Sequence, residues 1–78
     1  MTIVYSKQAQ KFLNKQSALT RKRITLAIEN LPSGDVKKLA GYKDLYRLRI
    51  GNFRVIFNKD GEILYILKVD NRGDVYKK

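Results

Sequence analysis

The sequence predicts an α+β domain, ordered β-α-α-β-β-β, with a helical hairpin packed on one face of a small antiparallel sheet. Three observations carry this reading. Apolar and basic residues alternate with period two from Tyr46 to Phe57, two stretches of helical apolar spacing precede them, and tight-turn residues separate the later strands. Seventy-eight residues make one domain, spanning 1–78.

Thr2-Ile3-Val4-Tyr5 is rich in β-branched and aromatic residues and reads as a short first strand. Ser6 is a natural N-cap for a helix starting at Lys7, in which Ala9, Phe12 and Leu13 share one apolar face. Ser17 would cap a second helix whose face is Ile24, Ala27, Ile28 and Leu31, ended by Pro32 and a Ser33-Gly34-Asp35 loop. The short spacing between the helices predicts that they pair antiparallel. Residues 36–44 read as a turn of helix or an irregular connection.

The strands follow. Tyr46, Leu48 and Ile50 should face the core from one strand, and Phe53, Val55 and Phe57 from the next, with Gly51-Asn52 turning between them. This leaves Arg47, Arg49 and Arg54 together on the opposite face, where their mutual repulsion invites a polyanion. Asn58-Lys59-Asp60-Gly61 predicts a second turn, with Asp60-Gly61 as a type I′ pair. Glu62 to Val69 is nearly continuous apolar sequence and is expected to be the most buried strand. The tail from Asp70 to Lys78 is polar, with Tyr76 near its end.

Charge bounds the function. Seventeen Lys and Arg oppose seven Asp and Glu, for a net +10, and residues 1–28 contain no acidic side chain. Such a field attracts nucleic acid and acidic proteins alike. Neither Cys nor His is present, so disulfides, thiolate metal sites and imidazole acid–base chemistry are excluded. The carboxylates look scattered, with only Asp60 and Glu62 close together at a turn, so no metal site is expected. The lack of Cys and of any long apolar run predicts a soluble cytoplasmic chain with no membrane partner.

From this pattern alone, Arg47 and Arg49 read most simply as a solvated strand face, and Tyr76 equally as a ring packed over a helix end or sheet edge. Arg54 is the third basic residue on that face and so the least bland. Tyr5, Tyr42, Tyr46 and Tyr65 are expected in the core or at its rim.

The chain resembles the RelE/ParE superfamily of toxin–antitoxin toxins, and more closely its RelE branch. The resemblance rests on Lys38-Leu39-Ala40-Gly41, on Leu45 through Phe57, and on Val69-Asp70-Asn71-Arg72-Gly73-Asp74-Val75-Tyr76. The closing Arg-x-x-Val-Tyr sits where the RelE branch has it and where ParE-like gyrase poisons generally do not. The resemblance implies a ribosome-dependent messenger RNA endonuclease that needs no metal or cofactor and is silenced by an antitoxin. Its chemistry would drive the ribose 2′-oxygen onto the adjacent phosphate. Carried over by position, Arg54 matches the arginine at the scissile phosphate, Arg72 a later arginine that stabilises the transition state or leaving group, and Tyr76 the tyrosine that orients the target nucleotide.

Arg47 and Arg49 fall where familiar relatives have two lysines. Arginine stays protonated, so electrostatic stabilisation is the role implied there rather than general-base chemistry. Asn71 replaces the frequent His before the late arginine. Lys7, Lys11 and Lys15 on the first helix, with Arg21, Lys22 and Arg23 on the second, are expected to face ribosomal RNA phosphates of the decoding site. The expected partners are therefore the ribosome, messenger RNA and an acidic cognate antitoxin. The alternatives are a ParE-like gyrase inhibitor that acts by binding, and a catalytically weak member that binds only RNA or its antitoxin.

Overall fold

A computed structural model describes residues 2–71. Arg72 and Tyr76 lie outside the described residues. The elements run β1 (Thr2–Tyr5), α1 (Lys7–Asn14), α2 (Ala18–Glu29), β2 (Asp35–Lys38), β3 (Leu45–Ile50), β4 (Phe53–Asp60) and β5 (Ile63–Asn71). They build a five-stranded sheet in the order β1-β5-β4-β3-β2. All strand pairs are antiparallel except β1–β5, which is parallel, because the two helices form the crossover between β1 and the rest.

Both predicted caps form. The Ser6 hydroxyl accepts from the Ala9 N–H, and the Ser17 hydroxyl from the Thr20 N–H, so each satisfies a donor that its helix leaves open. Arg21 then donates to the Leu13 and Gln16 carbonyls, both at 3.2 Å, tying the start of α2 to the end of α1. Helix α1 lies over β5 and α2 over β3. Their apolar stripes, Ala9 and Leu13 from α1 and Ile24 and Ile28 from α2, meet Leu48, Ile50, Val55, Phe57, Leu64, Ile66 and Val69 in one buried cluster. Tyr46 stacks on Phe57 with ring centroids 5.5 Å apart at the rim of that core.

Four expectations change. Residues 35–38 form an edge strand rather than a helical turn: Val36 packs on the core, while Asp35, Lys37 and Lys38 stay exposed, a polar composition that suits an edge. The second hairpin turns at Gly61-Glu62 rather than Asp60-Gly61, since Asp60 pairs with Ile63 and only Gly61 has positive φ. Positive φ at the first loop residue alone is the type II′ pattern, and Gly51-Asn52 shares it. Tyr42 is exposed, whereas Tyr5, Tyr46 and Tyr65 are half-buried.

The fourth change concerns β5. Its apolar run is not buried throughout, because Ile63 and Tyr65 alternate with the core residues and a bulge then follows. Phe57 pairs with Ile66, but the next residue along β4, Ile56, pairs with Lys68, leaving Leu67 as the extra residue and 41% exposed. Leu64 and Ile66 face the core before the bulge and Val69 after it. Ser6 anchors this point, donating from its N–H to the Ile66 carbonyl and from its hydroxyl to the Leu67 carbonyl. Gln8 holds the far side through two bonds to the Val69 backbone. The strand also continues to Asn71, two residues into the expected polar tail.

Candidate functional site

Period two puts Leu48, Ile50 and Val55 under the helices, so their strand neighbours Arg47, Arg49 and Arg54 emerge on the open face. The structure brings all three together, as expected. Arg49 is directly opposite Arg54, and like charges so placed repel.

The expected bare arginine face is nevertheless corrected, because two aspartates bracket it. The registers set Asp35 opposite Arg49 and Asp70 opposite Arg54, giving one row across four strands: Asp35, Arg49, Arg54, Asp70. Arg54 donates from Nε to Asp70 Oδ1 at 3.2 Å and from Nη2 to Oδ2 at 2.9 Å, the bidentate fork that suits guanidinium and carboxylate. This pair is partly sheltered, with 32% of the Arg54 side chain and 22% of the Asp70 side chain exposed. Asp35 is shared: Arg47 Nη2 lies 3.5 Å from its Oδ1 and Arg49 Nε 3.7 Å from its Oδ2. Arg47 is the deepest of the three arginines, at 13% side-chain exposure against 42% for Arg49.

The next row reads Lys37, Arg47, Ile56, Lys68 and contains no carboxylate. Lys68 Nζ leans toward the first row, 3.8 Å from Asp70 Oδ2. Lys37, Arg47, Arg49, Arg54 and Lys68 thus face Asp35 and Asp70, five cations against two anions. Such a surface has a positive field that attracts anions, and its most enclosed arginines are oriented by carboxylates.

Sequence reasoning missed Asp35, Asp70, Lys37 and Lys68. Asp35 looked like loop, and Asp70 reaches Arg54 only because the bulge shifts the register by one residue. The helical basic residues divide. Lys7, Lys11, Lys15 and Lys22 are exposed, whereas Arg21 is engaged with α1 carbonyls. Arg23 reaches the β3–β4 turn, where its Nη2 would stand 2.9 Å from a Cβ placed on Gly51. The absence of a side chain at Gly51 lets this cation approach the β3–β4 turn.

The family model described as "ParE toxin of type II toxin-antitoxin system" matches residues 3–76. The curated Toxin RelE3 of Methanocaldococcus jannaschii is 31% identical over 84 aligned positions, covering 97% of this chain and 96% of the relative. A chain of the RelB-RelE antitoxin-toxin complex from Methanococcus jannaschii is similar with a TM-score of 0.75 at 32% identity, over 94% of each chain. One from the archaeal RelE-RelB complex of Pyrococcus horikoshii gives a TM-score of 0.73 at 30% identity, over 92% of this chain and 94% of that one.

Proposed function

The chain belongs to the RelE/ParE superfamily as a RelE-type toxin of a toxin–antitoxin system, and we propose that it is a ribosome-dependent messenger RNA endoribonuclease. The observation that carries this reading is the sheet face turned away from α1 and α2, where Arg47, Arg49 and Arg54 are held together and Arg54 is fixed by a two-point contact. In the proposed reaction the ribose 2′-oxygen bonds to the adjacent phosphorus and the bond to the 5′-oxygen breaks. The 2′-hydroxyl loses a proton and the 5′-oxygen gains one, leaving a 2′,3′-cyclic phosphate. The phosphorane passed through bears more negative charge than the starting phosphodiester.

Arg54 would meet that added charge, an interaction stronger in the transition state than in the ground state. Arg47 and Arg49 would add positive potential without moving protons. Arg72, at the leaving oxygen, and Tyr76, against the target base, complete the proposal by position in the sequence. The exposed Lys7, Lys11, Lys15 and Lys22 would dock on ribosomal RNA, with Arg23 extending that surface to the turn. None of these roles calls for a metal, and the donor set of arginine, lysine and tyrosine suits that.

The partner proposed to silence the chain is an acidic antitoxin. Relatives are known in antitoxin–toxin complexes. Here carboxylates could cover the arginine face, and β2, at the edge of the sheet among the described residues, could accept an added strand.

The test is expression in a translating extract with primer extension on a defined message. Cuts within codons, on translated RNA only, are the expected result. Intact message with accumulating DNA breaks would instead support the gyrase-directed reading.

A further inference from the structure

We propose that Asp70 is a positioning residue for Arg54, holding the guanidinium at the reacting phosphate against the push of Arg49; this rests on the functional reading above. Arg49 and Arg54 are cross-strand neighbours, and no neutral arrangement of two guanidiniums at that spacing exists. An arginine side chain has many rotamers to lose, so repulsion from Arg49 favours conformations of Arg54 turned toward solvent. Asp70 opposes this. Its two oxygens take the Nε and Nη2 donors at 3.2 and 2.9 Å, which fixes the plane of the fork as well as its position. Two of the five guanidinium N–H donors are used in this way.

The fold places Asp70 there by a specific device. Before the bulge, β4 and β5 residues pair with a constant offset, and that offset extended to Arg54 would bring Val69 opposite it. The extra residue Leu67 shifts the pairing so that Asp70 takes the place and Val69 still points into the core. Ser6 and Gln8 hold the bulged segment from the start of α1. The carboxylate therefore follows a strand segment tied by side-chain hydrogen bonds to the start of α1, which suits a positioning group.

Asp70 also has a cost. Its negative charge opposes the approach of a phosphodiester, so it exchanges some ground-state attraction for orientation. This gives a signature that loss of structure does not mimic: removing the carboxylate should slow the chemical step while leaving RNA affinity equal or tighter.

The experiment is single-turnover cleavage of ribosome-bound message by the full chain, with rate and half-saturation measured for wild type, Asp70→Ala, Asp70→Asn and Arg54→Ala. For Asp70→Ala the maximal rate is expected to fall about 10- to 100-fold, the scale set by small misplacements of a reacting group, with half-saturation unchanged or lower. Asp70→Asn, which keeps one accepting oxygen, should fall between it and wild type. If Asp70→Ala does not fold, Asp70→Asn carries the test, and a wild-type rate for it overturns the proposal. Wild-type rate in the Asp70 variants with cleavage lost in Arg54→Ala would discard the positioning role alone. Full cleavage by Arg54→Ala as well would discard the role given to Arg54, and no cleavage of translated message by wild type would discard the functional reading on which it rests.

Discussion

Two adjacent rows of side chains cross the open face of the sheet with different electrical designs. In the first, two aspartates flank two arginines, so charges that repel are held side by side by neighbours that attract them. In the second, Lys37, Arg47 and Lys68 have no carboxylate among them, and Ile56 separates Arg47 from Lys68. The first row is neutral in sum and geometrically fixed. The second is cationic, and its two lysines are exposed. The difference teaches that positive potential and the orientation of a guanidinium are separable on one small surface. On the proposed function, the exposed lysines of the second row supply attraction that salt can screen, and Arg54 of the first supplies fixed donors.

The strongest way to break this arrangement is from beneath. Ile66 is fully buried at the last regular pair before the bulge, so Ile66→Ala opens a cavity where the register changes. A loss of about 2–5 kcal/mol in denaturant-derived stability is expected, a large share of the total for a chain of this size. A more selective change sharpens the contrast between the rows. Lys37→Ala and Lys68→Ala should each weaken ribosome or RNA binding and lower the slope of log affinity against log salt by about one. The maximal cleavage rate should change little in either variant. A rate effect as large as that of an arginine variant would show that the rows do not divide the work.

The smallest expected effect lies away from both rows. Burial, and then the nearby Glu29 carboxylate, raise the Tyr5 phenol above its usual value of 10.0. The folded state therefore holds this proton more tightly than the unfolded state. The associated stability is intact below pH about 10 and is lost as pH rises from there through the raised folded value. Denaturation of wild type and Tyr5→Phe across that range should show a steeper decline for wild type.

What the sequence made legible follows from period and punctuation. Alternation from Tyr46 to Phe57 has one satisfactory arrangement, apolar side inward, and Ser6 and Ser17 are capping residues in front of amphipathic turns. Gly51 marked its turn for the same reason, since positive φ is cheap only for glycine. The missed features lack such a signal. An unbroken apolar run from Ile63 to Leu67 looks the same with or without a bulge, so the residue that Asp70 opposes could not be read from it. Asp35 precedes Val-Lys-Lys, which has little β propensity and becomes a strand through pairing with β3. With both aspartates unplaced, the arginine face looked more naked than it is. The roles of Arg72 and Tyr76 fall outside the described residues and stand as proposals.

The proposed cleavage turns on Arg54, and replacing this residue tests it most directly. In single-turnover cleavage of ribosome-bound message, Arg54→Ala should lose about 10²–10³ in rate, the usual effect of removing one donor aimed at developing negative charge. Its affinity for the ribosome should stay close to wild type, because binding is spread over the lysines of the second row and of the helices. Cleavage near the wild-type rate by a folded Arg54→Ala chain would contradict the account.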